Sequence, residues 1–410
     1  MRLLLSTIGS QGDVQPLVAL AVALRAVGQE VRLCVPPDFR DWIEGLGIAV
    51  TPIGPEVRTA AVPSPPATPA PPSPERLRQV IEATVATQFE TIAVAAQGCD
   101  VIVAATALQI AAGSVAEKLG IPYVFAAYCP TVLPSPRHAP IPLRTLGQTP
   151  APATADKGEL WAEDARRWND TWGPALNAHR ESIGLTPVRD VRSYMFTERP
   201  WLAADLTLAP WPDPSDEAVF QPGAWILPDE RSLPPELETF LDGGEPPVYF
   251  GFGSMRAPPD VSRVMIQAAR ALGRRAIVSR GWADLSLVDD EPDCLAIGDV
   301  NQQALFTRVA AVVHHGGAGT TTVAALAGAP QVVVPQLYDQ HYWAERIRHL
   351  GIGTAFPAGT PTTESLTNAL GATLQSEVAV RARSVATAVR RDGAQAAARR
   401  LMTTFNPSRI

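Results

Sequence analysis

Cysteine is scarce in this chain. Only Cys34, Cys99, Cys129 and Cys294 occur in 410 residues, and no two of them have C-x-x-C spacing. That excludes a disulfide framework and the common zinc sites, and it predicts buried, reduced thiols. Long apolar runs are missing as well. None reaches the ~18 residues of a membrane span, and the apolar run within Met1–Thr7 is too short for a secretory signal. A cytoplasmic protein without a membrane span is expected. There is no basic excess: 34 Lys and Arg stand against 41 Asp and Glu, a net charge of −7. With no basic stripe either, nucleic acid is not an expected partner. No Asp-x-Asp falls at a strand end, and the acidic run Asp289-Asp290-Glu291 reads as a solvated loop, so no metal site is expected.

Apolar residues are plentiful, at 46% of the chain. This suffices for two packed domains of about the usual ~100–200 residues. Short apolar strands alternate with amphipathic helices, the pattern of parallel α/β layers. Strands are expected at Leu3–Thr7, Val31–Val35, Ala49–Ile53, Val101–Ala104, Tyr123–Ala126 and Leu202–Leu208. A second cycle is expected at Val248–Phe252, Ala276–Ser279, Leu295–Ile297, Ala311–His314 and Gln331–Pro335, with a helix at Val261–Leu272. The breaker-rich stretch Pro210–Pro222 is the best linker candidate. The domains are accordingly drawn as residues 1–209, a linker over 210–230, a second domain over 231–393, and a C-terminal helix over 394–410 that crosses back onto the first domain. Residues 63–74, with seven prolines, and the proline-rich stretch 130–153 read as loops.

The densest chemical signal is Val313-His314-His315-Gly316-Gly317-Ala318-Gly319-Thr320, between a strand and a helix. Glycines admit an anion close to the backbone, and a helix start offers free N–H groups and a positive dipole end. A diphosphate is the expected guest. His314 and Thr320 are expected to donate to it, alongside Gly316, Gly317 and Gly319. A second turn, Gly251-Phe252-Gly253-Ser254, opens the same half, and Ser254 can reach the distal phosphate. Gly9-Ser10-Gln11-Gly12-Asp13 holds the matching place in the first half, where Ser10 is a further phosphate candidate. Its glycine spacing is not that of a dinucleotide site, which weighs against a nicotinamide enzyme. Asp339 and Gln340 follow a strand end, where a carboxylate and an amide can read neighbouring sugar hydroxyls; the competing reading is a helix cap. Asp13 likewise reads either as a helix cap or as a general base. Trp161, Trp168 and Trp172 have helical spacing and suit core packing or an acceptor pocket.

Taken in order, these segments resemble family 1 glycosyltransferases, and most closely those that glucosylate vancomycin-type glycopeptide aglycones. Trp225-Ile226-Leu227-Pro228-Asp229 and Ser279-Arg280-Gly281-Trp282 add to the match. The resemblance implies a GT-B fold, two Rossmann-like doubly wound domains facing a cleft. The acceptor would lie on the first and a UDP- or dTDP-sugar on the second. It implies Asp13 as base, Asp339 and Gln340 as sugar readers, Trp282 and Val300 near the base, and no cofactor beyond the nucleotide-sugar co-substrate. Relatives often carry Trp-x-Pro-Gln where this chain has Asp299-Val300-Asn301-Gln302. The reaction implied is inverting transfer of a hexose, with glucose the expected sugar, to a phenolic hydroxyl. Rivals are a polyketide, macrolide or sterol acceptor, a nucleotide-sugar epimerase, and a silent binding protein.

Overall fold

The computed structural model describes residues 1–58, 73–106, 108–141, 156–213, 215–216, 218–254, 260–282, 285–357 and 359–405. Most of the 63–74 loop, residues 142–153 of the second proline-rich stretch and the last five residues of the chain lie outside the described residues.

Two six-stranded parallel sheets form the chain. The first is built from β1 (Arg2–Ser6), β2 (Glu30–Val35), β3 (Ala49–Pro52), β4 (Val101–Ala105), β5 (Tyr123–Ala127) and β6 (Trp201–Leu202), in the order β3-β2-β1-β4-β5-β6. The second holds β7 (Val248–Gly251), β8 (Ala276–Ser279), β9 (Cys294–Ile297), β10 (Ala311–His314), β11 (Gln331–Val333) and β12 (Gly353–Ala355), in the order β12-β11-β10-β7-β8-β9. Strands covered on both faces read as unbroken apolar runs, and Leu3, Leu4, Leu5 and Val101–Ala105 are buried accordingly.

This strand order matters for function. In each sheet the chain winds outward from a first strand, then returns to its other side. The reversal falls between β1 and β4 in the first sheet and between β7 and β10 in the second. Ligands bind outside the carboxyl ends of strands at such a switch point. His314 pairs with Gly251, so the turns after β10 and β7 become neighbours although some sixty residues separate them.

Flanking helices complete the layers. In the first half these are α1 (Gln11–Ala26), α2 (Arg40–Gly45), α3 (Pro74–Ala95), α4 (Ala112–Leu119), α5 (Lys157–Ser182) and α6 (Val191–Phe196). The second half adds α7 (Pro235–Asp242), α8 (Val261–Ala271), α9 (Gln302–Leu305), α10 (Ala318–Leu326), α11 (Gln340–Leu350), α12 (Thr363–Thr373) and α13 (Ser376–Ala386). The last helix, α14 (Gly393–Phe405), belongs in space to the first half. Its Ala394, Ala397, Ala398 and Leu401 share a core cluster with Val14, Val18 and Leu24.

Three details differ from the sequence reading. The strand expected over Leu202–Leu208 stops after Leu202, because the Asp205 carboxylate accepts from the N–H groups of Thr207 and Leu208 and folds the chain into a turn. Within the 210–230 segment, the proline-rich part packs on the first half. Trp211 is buried, Gln221 donates to the carbonyls of Ala204 and Ala209, and Phe220 pairs with Trp201 at the sheet edge. The crossing comes later in it: Trp225 and the Leu227 side chain pack on the first-half core, while the Leu227 carbonyl accepts from Gln303 of the second half. The acidic run is not merely solvated: Asp289, with Asp293, clamps the Arg270 guanidinium through bonds of 2.7–2.8 Å.

The four cysteines are free and buried. Trp161 and Trp168 are core residues, Trp168 packing with Trp172 and Phe196, while the Trp161 indole donates to the carbonyls of Ser135 and His138 and so pins the start of the second proline-rich loop.

Candidate active site

Helix α1 starts where β1 ends, and its first turn carries Asp13. The carboxylate accepts from the Ser10 N–H at 2.7 Å and lies 3.3 Å from the Ser10 hydroxyl. Asp13 is thus not the N-cap of a helix opening at Val14, as the cap reading expects: the helix opens at Gln11 behind Ser10, and Asp13 reaches back to Ser10 from the third position. Only Oδ2 is used in this way; among the described residues Oδ1 has no hydrogen-bond partner. A side chain at Gly9 would overlap the Asp13 carboxyl group, so glycine there leaves the space that the acid occupies. Tyr128 holds the turn from behind, donating to the Asp13 carbonyl at 3.1 Å. Burial pushes the Asp13 pKa up to about 6, aided by the charge of Asp339 and opposed by the Ser10 bonds.

Asp339 comes from the other half, at the start of α11. It makes no side-chain cap bond; its Oδ2 instead accepts from the Trp343 indole at 2.9 Å. Burial raises its pKa. The two carboxyl groups come one from each half, and the Asp339 charge adds to the cost of charging Asp13. Gln340 also has a structural task. Its Oε1 accepts from the N–H groups of Gln336 and Leu337 at 2.7 and 3.0 Å, so the amide shapes the loop before α11.

At the β10–α10 turn, the two histidines divide their work. His314 is fully buried with both ring nitrogens engaged: Nδ1 accepts from the Gly316 N–H at 3.1 Å, and Nε2 pairs with Gln331 Oε1 at 2.9 Å. The Gly316 donor leaves the proton on Nε2. In this conformation His314 braces the turn and does not point a donor outward, unlike the sequence expectation. His315 is the residue that the sequence reading missed. Its ring lies between Gly253 and Gly317, against the faces where each would carry a side chain, and its Nδ1 is buried with no partner among the described residues. Burial lowers both pKa values, to about 3 for His314 and about 4 for His315, so both rings are neutral at pH 7. Adjacent histidines look alike in a sequence. The strand's alternation, which turns successive side chains to opposite faces, is the signal that separates them.

Helix α10 opens with Gly317 as its N-cap residue and no side-chain cap, so its first N–H groups lack intrahelical acceptors. Thr321 and Thr322 spend their hydroxyls on the carbonyls of Gly317 and Ala318. Thr320 makes no such bond and, with Gly319, stays accessible at the helix start. Ser254 follows Gly253 on the adjoining turn, whose carbonyl accepts from the Trp282 N–H at 2.9 Å. Such a bowl suits an anion.

Of the two residues expected near a base, Trp282 stacks on Phe39 of the first half, ring centroids 6.3 Å apart, and one face is thereby covered. Val300 is buried in a core cluster with Ile297, Leu305 and Phe306, which leaves its main chain for contact. Asn301 next to it caps α9 and donates to the carbonyls of Asp229 and Arg231, tying the crossing segment to this half. Among the described residues no group of three or more His, Cys, Asp or Glu side chains gathers in a way that could hold a metal ion, and no helix is long and apolar enough to cross a membrane.

Comparison with known proteins decides the family. Residues 3–135 match the Glycosyltransferase family 28 N-terminal domain, and residues 263–398 match the Erythromycin biosynthesis protein CIII-like C-terminal domain. The chain is 54% identical to the glycosyltransferase GtfE of Amycolatopsis orientalis, over 97% of this chain and 96% of that protein. It is 50% identical to the vancomycin aglycone glucosyltransferase of the same organism, over 98% and 97%. The chain belongs to the vancomycin-group glycosyltransferases. This glycosyltransferase is also 43% identical to the A. orientalis dTDP-epi-vancosaminyltransferase, over 94% and 93%. Its fold is GT-B: the calicheamicin glycosyltransferase CalG4 superposes with a TM-score of 0.72 at 18% identity, covering 100% of this chain and 99% of that one. The kitacinnamycin glycosyltransferase superposes at 0.73 with 19% identity, covering 98% and 99%.

Proposed function

We propose that this glycosyltransferase moves a hexose, glucose by our reading, from UDP or dTDP to a phenolic hydroxyl of a glycopeptide aglycone, with inversion at the anomeric carbon. One observation supports the reading most: the buried Asp13 carboxyl group of the first half is near enough to Asp339 of the second for that charge to raise its pKa, and the second half offers an uncapped helix start. Similarity to the vancomycin aglycone glucosyltransferase supports the acceptor class.

The chemistry follows from placement. The acceptor oxygen gives its proton to Asp13 Oδ1 as it forms the bond to the anomeric carbon, and the bond to the diphosphate oxygen breaks on the opposite face. A base with a pKa of about 6 is nearer a phenol, at ~10, than an ordinary carboxylate is. That narrows the gap for proton transfer. The departing nucleoside diphosphate gains charge at the α10 helix start, where Gly317, Gly319 and the Thr320 hydroxyl meet it, with Ser254 and Ser10 at the distal phosphate. His315 supplies a neutral imidazole N–H there, and His314 and Gly316 hold the turn in shape. Asp339 reads the sugar hydroxyls. The nucleobase lies between the Val300 main chain and the free side of Trp282. Preorganised N–H groups supply the charge stabilisation, so no metal is required.

A mass-spectrometric screen tests this directly. UDP-glucose and dTDP-glucose are each offered with vancomycin aglycone, a macrolide, a sterol and no acceptor, with and without excess EDTA. Glycosylation of the glycopeptide phenol, undiminished by EDTA, is the expected result. Transfer only to the sterol or macrolide, sugar isomerisation without acceptor, or loss of turnover that magnesium restores would each overturn it.

A further inference from the structure

The loop that presents Asp339 contains a strained residue. Tyr338 has φ +52°, in the left-handed region that a β-carbon disfavours and that glycine enters without penalty. The strain is held by the fold: the Gln340 amide fixes the N–H groups of Gln336 and Leu337, and the Gln340 N–H donates back to the Leu337 carbonyl at 3.2 Å. Glycine at 338 would keep every one of these bonds, because none involves its side chain. Yet the position carries a tyrosine that is 60% exposed, and its ring and hydroxyl have no partner among the described residues. Neighbouring Leu337 is 49% exposed. The fold therefore bears the strain without using the side chain, the pattern expected where a residue is kept for a ligand.

The position indicates which ligand. Asp339, next in the chain, is buried and near enough to Asp13 for its charge to raise that pKa, and in the proposed function the donor's polar hydroxyls belong to that carboxylate. Outward from it, at the mouth, lies whatever is too large to be enclosed. We propose that Tyr338, with Leu337 beside it, is an acceptor-contacting platform on the donor half, on which an aromatic ring of the aglycone stacks during transfer. This rests on the function proposed above. It makes acceptor specificity a property of both halves, so that donor-side exchange between relatives carries part of the acceptor preference with it.

Tyr338→Gly and Tyr338→Phe test the idea, with vancomycin aglycone as acceptor and UDP-glucose or dTDP-glucose, whichever is turned over. In Tyr338→Gly the acceptor KM rises about five- to tenfold, the scale of one aromatic contact. Donor Kd by calorimetry stays at the wild-type value, and Tm is unchanged or higher because the strain is gone. Tyr338→Phe restores the acceptor KM. An unchanged acceptor KM in Tyr338→Gly overturns the proposal, as does a loss that appears in donor Kd, which would give the ring to the sugar. A fall in Tm would assign the tyrosine to the fold instead. If the wild-type chain transfers no sugar to this aglycone, the functional reading fails first and this inference falls with it.

Discussion

At the scale of single residues, the site is a set of polar groups whose burial sets their charge. His315 is neutral at pH 7 because its surroundings disfavour the cation, so in the proposed reaction its part toward the diphosphate is that of a neutral hydrogen-bond donor. His315→Ala should weaken UDP or dTDP binding on the order of 10–100-fold, the worth of a hydrogen bond to a charged group, and leave the bare nucleoside unaffected. Calorimetry with nucleoside and nucleoside diphosphate separates the two. Equal losses for both would assign His315 to the fold. Gly9→Ala makes a different point. The added methyl occupies the space of the Asp13 carboxyl group, so kcat should fall at least tenfold while donor affinity is kept. A wild-type kcat would mean that the carboxylate can act from elsewhere. Residue identity alone picked out Asp13, Asp339 and the glycine turn as candidates. It did not show that the Gln340 carbonyl oxygen holds its own loop or that the His314 ring is engaged by Gly316 and Gln331. Those roles depend on which face of a strand or helix start meets the cleft, and that is settled by packing.

Among the elements, the strands were legible because a parallel sheet buries both faces and writes near-continuous apolar runs into the chain. β12 escaped because it has three residues, Gly353–Ala355, too few to show any period. The false extension of β6 past Leu202 has the opposite origin: apolar residues continue to Leu208, but the Asp205 turn bends the chain away. Proline misled in the same manner around position 210, where it marks irregular backbone that is nevertheless packed. The most consequential element is α14. Its Leu401 is fully buried against the first half, so Leu401→Ala should destabilise the protein by about 2–4 kcal/mol, read from urea unfolding. A change below about 1 kcal/mol would show that the helix is only loosely docked.

Across the whole molecule, two sheets of the same winding are joined by a chain that crosses twice. The outgoing strand passes Gly223 and the returning one passes Gly393, in backbone contact so close that a β-carbon at Gly393 would meet the Ala224 carbonyl. Just before the return, the Arg390 N–H donates to Asp205 of the first half at 2.9 Å. This double crossing ties the two halves together, with Asp339 of one near enough for its charge to raise the pKa of Asp13 in the other. The arrangement costs stability. The folded protein raises the Asp13 pKa to about 6, so the fold favours the protonated acid. That contribution is complete below the ordinary carboxylate value and is lost as pH rises through 6. Removing the charge should therefore stabilise the protein at pH 7.5, on the order of 1–3 kcal/mol, while removing its chemistry. Asp13→Asn, assayed for sugar transfer between pH 5 and 8 alongside its Tm, is the most direct measurement of the central claim. Wild-type kcat/KM should fall about tenfold per unit below pH 6, and Asp13→Asn should lose turnover by ~10²–10⁴ at pH 7.5, keep donor affinity, and melt higher. A near-wild-type rate in Asp13→Asn, with the acid limb still at pH 6, would contradict it.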